Sequence, residues 1–131
     1  MKYLLMMNVP RGKGGYEHVD WAPEDWRAHL DYWDRLNGEL AERGELVGIH
    51  ALTPPAEARL VRAARDGTPL TDGPFAETKE FLAGFWIVDV DTPERAYEIA
   101  ANASMVPGPG GAPMHMPIEV RQVMGGPPKD A

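Results

Sequence analysis

An α+β domain with two helices packed on one face of a sheet is the fold class this sequence predicts. Three observations carry it. Strand-length apolar runs and stretches of helical periodicity share one chain, Gly and Pro gather at the joints between them, and 131 residues are enough for one core but not for two. The 44% hydrophobic and 25% charged fractions are those of a globular protein, so the 14 glycines and 13 prolines belong in loops. The expected organisation is one domain over residues 1–124 and a disordered tail, 125–131, opened by Gly125-Gly126-Pro127-Pro128.

Tyr3 to Val9 is an apolar run of strand length, closed by Pro10-Arg11-Gly12-Lys13-Gly14-Gly15, which cannot continue a ladder. Pro23 suits a first helical position, and Glu24 and Asp25 are first-turn acids that the helix dipole favours. Helix one is therefore expected from Pro23 to Arg43, before Gly44, with Trp26, Leu30, Trp33, Leu36 and Leu40 as its apolar stripe and His29 inside that stripe. Leu46 to Leu52 reads as strand two, ended by Thr53-Pro54-Pro55. A third strand runs from Arg59 to Ala64, and Asp66-Gly67 is a favoured two-residue hairpin turn that returns the chain through Pro69-Leu70-Thr71 to Asp72.

Phe81 to Val90 is the strongest strand, apolar on both alternating faces. Thr92 before Pro93 and Glu94 is an N-cap signal for a second helix, with Ala96, Tyr97, Ile99, Ala100 and Ala103 facing the core. Val106 to Pro113 is a loop, and Ile118 to Val123 alternates as a last strand. The order βαββαβ with an extra hairpin strand is that of a ferredoxin-like sheet. Its second face has no layer of its own in one chain, which predicts a homodimer with two sheets face to face.

A formal charge of −7 without any run of Lys or Arg disfavours nucleic acid and anionic membranes as partners, and leaves a neutral or cationic small molecule open as a ligand. The absence of cysteine excludes a disulfide, a thiolate nucleophile and a Cys-ligated zinc. Lys2 to Val9 is too short an apolar run for a signal peptide and no small-residue cleavage site follows, so a cytoplasmic protein is expected.

Asp72-Gly73-Pro74-Phe75-Ala76-Glu77-Thr78-Lys79-Glu80, followed by Gly84-Phe85-Trp86 and Val88-Asp89-Val90-Asp91, resembles the signature segment of the YCII-related family, DGPF-domain type. The opening Met1 to Met6 and the closing Ile118 to Val123 are similar too, so the resemblance covers most of the chain. It implies a dimeric α+β barrel, in agreement with the periodicity. It also implies a His and Asp pair in a pocket between sheet and helix, a role carried to His29 and, less directly, to Asp72. Some members resemble small lyases, and many DGPF members are encoded beside alternative sigma factors. The Gly-rich stretch from Arg11 to Trp21 and the insertion from Val106 to Pro117 depart from the family pattern.

His29, with an ordinary pKa of about 6.5, suits a general acid or base, and Asp72 would orient it. The competing account of His29 is a core histidine bonded to backbone or to Asp25, and that of Asp72 is a turn carboxylate capping its own backbone. Trp21, Trp26, Trp33, Phe75 and Met114 are the candidate substrate-binding residues, although regular spacing makes Trp26 and Trp33 equally good core residues. His18, His50 and His115 show no metal-binding spacing, and Met114-His115-Met116 offers soft copper ligands but suits packing or a lid better. No metal, phosphate cradle or other cofactor is expected. Two functions follow. One is a cofactor-independent enzyme (lyase, dehydratase, isomerase or cyclase) acting on a largely apolar, natural-product-like intermediate through His29. The other is a non-catalytic ligand-binding or regulatory dimer, linked to a sigma factor; a purely structural reading, with His29 and Asp72 each satisfied internally and the pocket collapsed, ranks behind both.

Overall fold

A computed structural model of the chain describes residues 1–10, 20–72 and 80–125. In chain order they form β1 (Lys2–Pro10), α1 (Pro23–Glu42), β2 (Leu46–Ala51), β3 (Leu60–Ala63), β4 (Pro69–Asp72), β5 (Glu80–Asp89), α2 (Pro93–Ser104) and β6 (Ile118–Gln122). Short 3-10 turns occur at Pro55–Glu57 and Pro109–Gly111. Four strands make one sheet in the order β2-β5-β1-β6, with every neighbouring pair antiparallel. With β3 and β4 set aside as a separate two-stranded hairpin, this is the ferredoxin-like arrangement of an α+β domain.

Strand alternation decides which side chains meet the helices. Tyr3, Leu5, Met7 and Val9 of β1 are buried and share a core with Trp86 and Val88 of β5, Leu36 and Leu40 of α1, and Ala96 and Ile99 of α2. Leu4 and Met6, opposite Ile87 and Phe85, lie on the other face and are only half-buried. Between β1 and β5 the register slips: Met7 faces Gly84 and Asn8 faces Leu82, leaving Ala83 as the extra residue of a bulge. At Gly84 a Cβ would stand 2.9 Å from the His50 carbonyl oxygen on β2, so the close approach of the two strands demands glycine.

α1 starts with Pro23 and two first-turn acids, and Gly44 at φ +71° ends it, as the sequence leads one to expect. The inward stripe is displaced from the expected one, because His29 takes the buried position and Leu30, one residue round the helix, is 53% exposed. In α2 the Thr92 hydroxyl accepts from the Arg95 N–H at 3.2 Å, a true N-cap. Ala96, Ile99, Ala100 and Ala103 are buried, whereas Tyr97 is 56% exposed and keeps out of the core. Arg95 pairs with Glu45 through two 2.9 Å contacts, tying α2 to the turn after α1.

The hairpin turn holds one residue more than expected. Gly67 donates to the Ala64 carbonyl and Ala64 to Thr68, with Gly67 at φ +89°, so three residues link the strands. The Asp66 carboxylate accepts from the Thr68 backbone N–H and hydroxyl and steadies the loop. Of the expected tail, only Gly125 falls within the described residues. No helix among the described residues is long and apolar enough to cross a membrane.

Candidate functional site

Residues four apart on α1 stack on one face, and three of them, His29, Trp33 and Asn37, point a polar atom into the protein. His29 is 1% exposed. Its Nδ1 lies 2.8 Å from the Pro107 carbonyl oxygen, and the indole Nε1 of Trp33 lies 3.0 Å from its Nε2. A carbonyl only accepts and an indole N–H only donates, so the proton sits on Nδ1 and Nε2 receives the Trp33 hydrogen. The imidazole is neutral: burial pushes its pKa below the ordinary value, with the Pro107 hydrogen bond opposing that shift only in part.

Aromatic rings enclose it. Trp21 stacks on Trp26 at 4.5 Å, and both present themselves edge-on to His29, at 5.0 and 5.3 Å. Trp33 does the same at 5.4 Å and then meets Trp86 of β5 at 5.1 Å. The loop between α2 and β6 closes the far side. Its Gly110 N–H reaches the Asp25 carboxylate at 3.1 Å, one helical turn before His29, and Pro107 bridges to Pro113. Of the backbone and Asp25, the partners expected for a core histidine here, His29 meets the backbone, and Asp25 holds the same loop instead.

Beyond Trp33 the contact between α1 and the sheet opens into a cavity of about 160 Å³. Its walls are Met7, Trp33, Asn37, Ile49, His50, Ala51, Ala83, Gly84, Phe85 and Trp86. Ala83 of the β5 bulge and Gly84 form part of its sheet wall. Asn37 is half-buried, and its Oδ1 accepts from the Trp86 indole at 2.8 Å. Another hollow, about 200 Å³, lies between the helices against Tyr32, Arg35, Leu36, Glu39 and Asn102, but its Tyr32 hydroxyl is committed to the Asn102 carbonyl at 2.6 Å. Among the described residues no three His, Asp or Glu side chains converge to hold a metal ion.

The sequence-predicted residues are distributed unevenly around this geometry. Trp33 lines the cavity, whereas Trp21 and Trp26 pack around His29. Met114 lies against Gly108 within its own loop and packs on the core. Asp72 is an exposed residue at the end of β4, in the hairpin, and the described hydrogen bonds of His29 go to Pro107 and Trp33. Phe75 lies outside the described residues. Asn37 was missed. Its signal was present, since a polar residue four positions after Trp33 interrupts an apolar stripe just as His29 does.

A two-layer α+β domain with a small cavity between its first helix and its sheet is the class defined by fold and site. The YCII-related domain family model matches residues 1–110, and the chain belongs to that family. It is also similar to an uncharacterized protein of Rhizobium meliloti (strain 1021), 31% identical over 84 residues, which cover 64% of this chain and 68% of that relative.

Proposed function

We propose that this YCII-related protein binds a small, largely apolar organic molecule in the cavity between α1 and the sheet. One observation carries the proposal: an aromatic-walled cavity containing a polar side chain stands at the helix–sheet junction, the arrangement typical of small-molecule sites. At about 160 Å³ it is close to the roughly 150 Å³ that accommodates a benzene ring, so a single-ring compound suits it better than a bulky natural-product intermediate. The half-buried apolar residues Leu4, Met6, Phe85 and Ile87 on the other face of the sheet support a homodimer as the working form.

The test is a titration with single-ring compounds, following the indole N–H resonances of Trp33 and Trp86. Both should shift saturably while that of Trp26, outside the cavity, stays in place. If no such compound moves either resonance at millimolar concentration, the proposal is wrong.

Proton-transfer chemistry at His29 is the second reading, and a specific contact favours it. Trp33, which covers Nε2, is itself a wall of the cavity. A substrate that displaced this indole would meet the lone pair of a neutral imidazole already held by Pro107, as a general base requires. This enzyme of lyase or isomerase type would show turnover that His29→Gln abolishes while binding persists, with a rate that falls as pH drops through the pKa of His29. Binding without turnover of any compound tested would leave the non-catalytic, regulatory alternative.

A further inference from the structure

Asn37 is the polar group of the cavity wall, and Trp86 decides which of its ends is spent. An indole N–H can only donate, so the atom 2.8 Å from Trp86 Nε1 is the amide oxygen. The two N–H donors of Nδ2 are left, and among the described residues they make no hydrogen bond, although the side chain is half-buried beside an apolar space. Nδ2 is not among the buried atoms left without a partner, so solvent reaches it in the open cavity. An occupant that displaces that solvent without supplying an acceptor strands the donors, and one that brings an acceptor is favoured over an isostere that does not. Of the other N–H-bearing side chains in the wall, the Trp33 and Trp86 indoles spend their hydrogens on His29 and Asn37, and His50 is exposed and turned against the Phe85 ring on the β2–β5 pair.

We infer that Asn37 is the specificity-determining residue of the cavity and selects single-ring ligands bearing a hydrogen-bond acceptor, an aryl ketone, aldehyde or carboxylate, over plain hydrocarbons and amines. The inference rests on the cavity being the binding site. It needs no charged group, because the amide recognises a neutral carbonyl as readily as an anion. The Trp86 hydrogen bond holds the amide in one orientation, so the site cannot adapt to a donor by flipping without breaking that bond.

Three probes of near-equal shape separate the possibilities: acetophenone, ethylbenzene and benzylamine, titrated against the full chain while the Trp33 and Trp86 indole resonances are observed. Acetophenone should bind roughly fivefold more tightly than ethylbenzene, the equivalent of one net hydrogen bond of about 1 kcal/mol. Asn37→Asp keeps an oxygen for Trp86 but replaces the donors by a second acceptor, so it should reverse the order, with benzylamine tightest. Asn37→Leu, of similar volume, should make acetophenone and ethylbenzene equal. Its unshifted Trp26 resonance would report that the fold is intact. Equal binding of all three probes by the native protein, or a preference for acetophenone that survives both substitutions, overturns the inference while leaving the cavity as the site. Failure of all three to bind would overturn the cavity proposal as well.

Discussion

The inner stripe of α1 carries two polar side chains eight residues apart, His29 and Asn37, and they are in opposite states. His29 is sealed among three tryptophan rings with a hydrogen bond at each ring nitrogen. Asn37 has committed its oxygen to Trp86 and keeps its donors beside an open space. A polar group buried with its hydrogen bonds made acts as a strut, because withdrawing it strands its partners. A polar group half-satisfied at the edge of an apolar cavity acts as a recognition element. The residue type that most invites chemistry is thus the one whose ring nitrogens both already have partners.

Removing each group should expose that contrast. His29→Ala leaves the Pro107 carbonyl and the Trp33 N–H without their partner and opens a hole among the rings, an expected loss of about 3–4 kcal/mol in denaturant unfolding with an unchanged slope. A loss below about 1 kcal/mol would mean that His29 is no strut. Trp86→Phe keeps most of the ring volume and deprives Asn37 of its donor, for which about 1–2 kcal/mol is expected, together with loss of ligand discrimination.

The pH dependence comes next. Because burial holds the folded-state pKa of His29 below its unfolded value of about 6.5, protons favour the unfolded chain. The stability associated with neutral His29 is therefore fully present above about pH 6.5, declines below it, and is lost once pH has fallen through the lowered folded-state value. Thermal or urea unfolding between pH 7 and 5 should show this arm in the native protein, and His29→Gln should flatten it. A slope of opposite sign would show that the imidazole is charged in the fold. The smallest effect is expected in the hairpin, where Leu70 is 57% exposed: Leu70→Ser should change monomer stability by no more than about 0.5 kcal/mol. A larger change that depends on protein concentration would place the hairpin in a dimer contact.

Much of the fold was legible in advance where the signal was local. Pro23 with two acids, Thr92 before Pro93, and Gly44 after the last turn of α1 each act within a few residues, and these helix ends fall where expected. Leu30 and Tyr97 fall outside the buried stripes because periodicity defines a stripe only to within one residue on the helical wheel, and packing against the sheet selects the centre. A histidine in an apolar stripe, as His29 is, marks itself as a candidate for proton transfer. Asn37 offers the same kind of signal, but an asparagine suggests no reaction by itself.

By itself the sequence determined the order of strands and helices, their ends, and the family, since these depend on periodicity, capping and a contiguous motif. Tertiary structure alone decided what the polar groups of α1 do. The proton of His29 was placed by Pro107, 78 residues away, and the amide of Asn37 was oriented by Trp86, 49 residues away. A hydrogen bond has direction, and its direction is known only when the partner is in place.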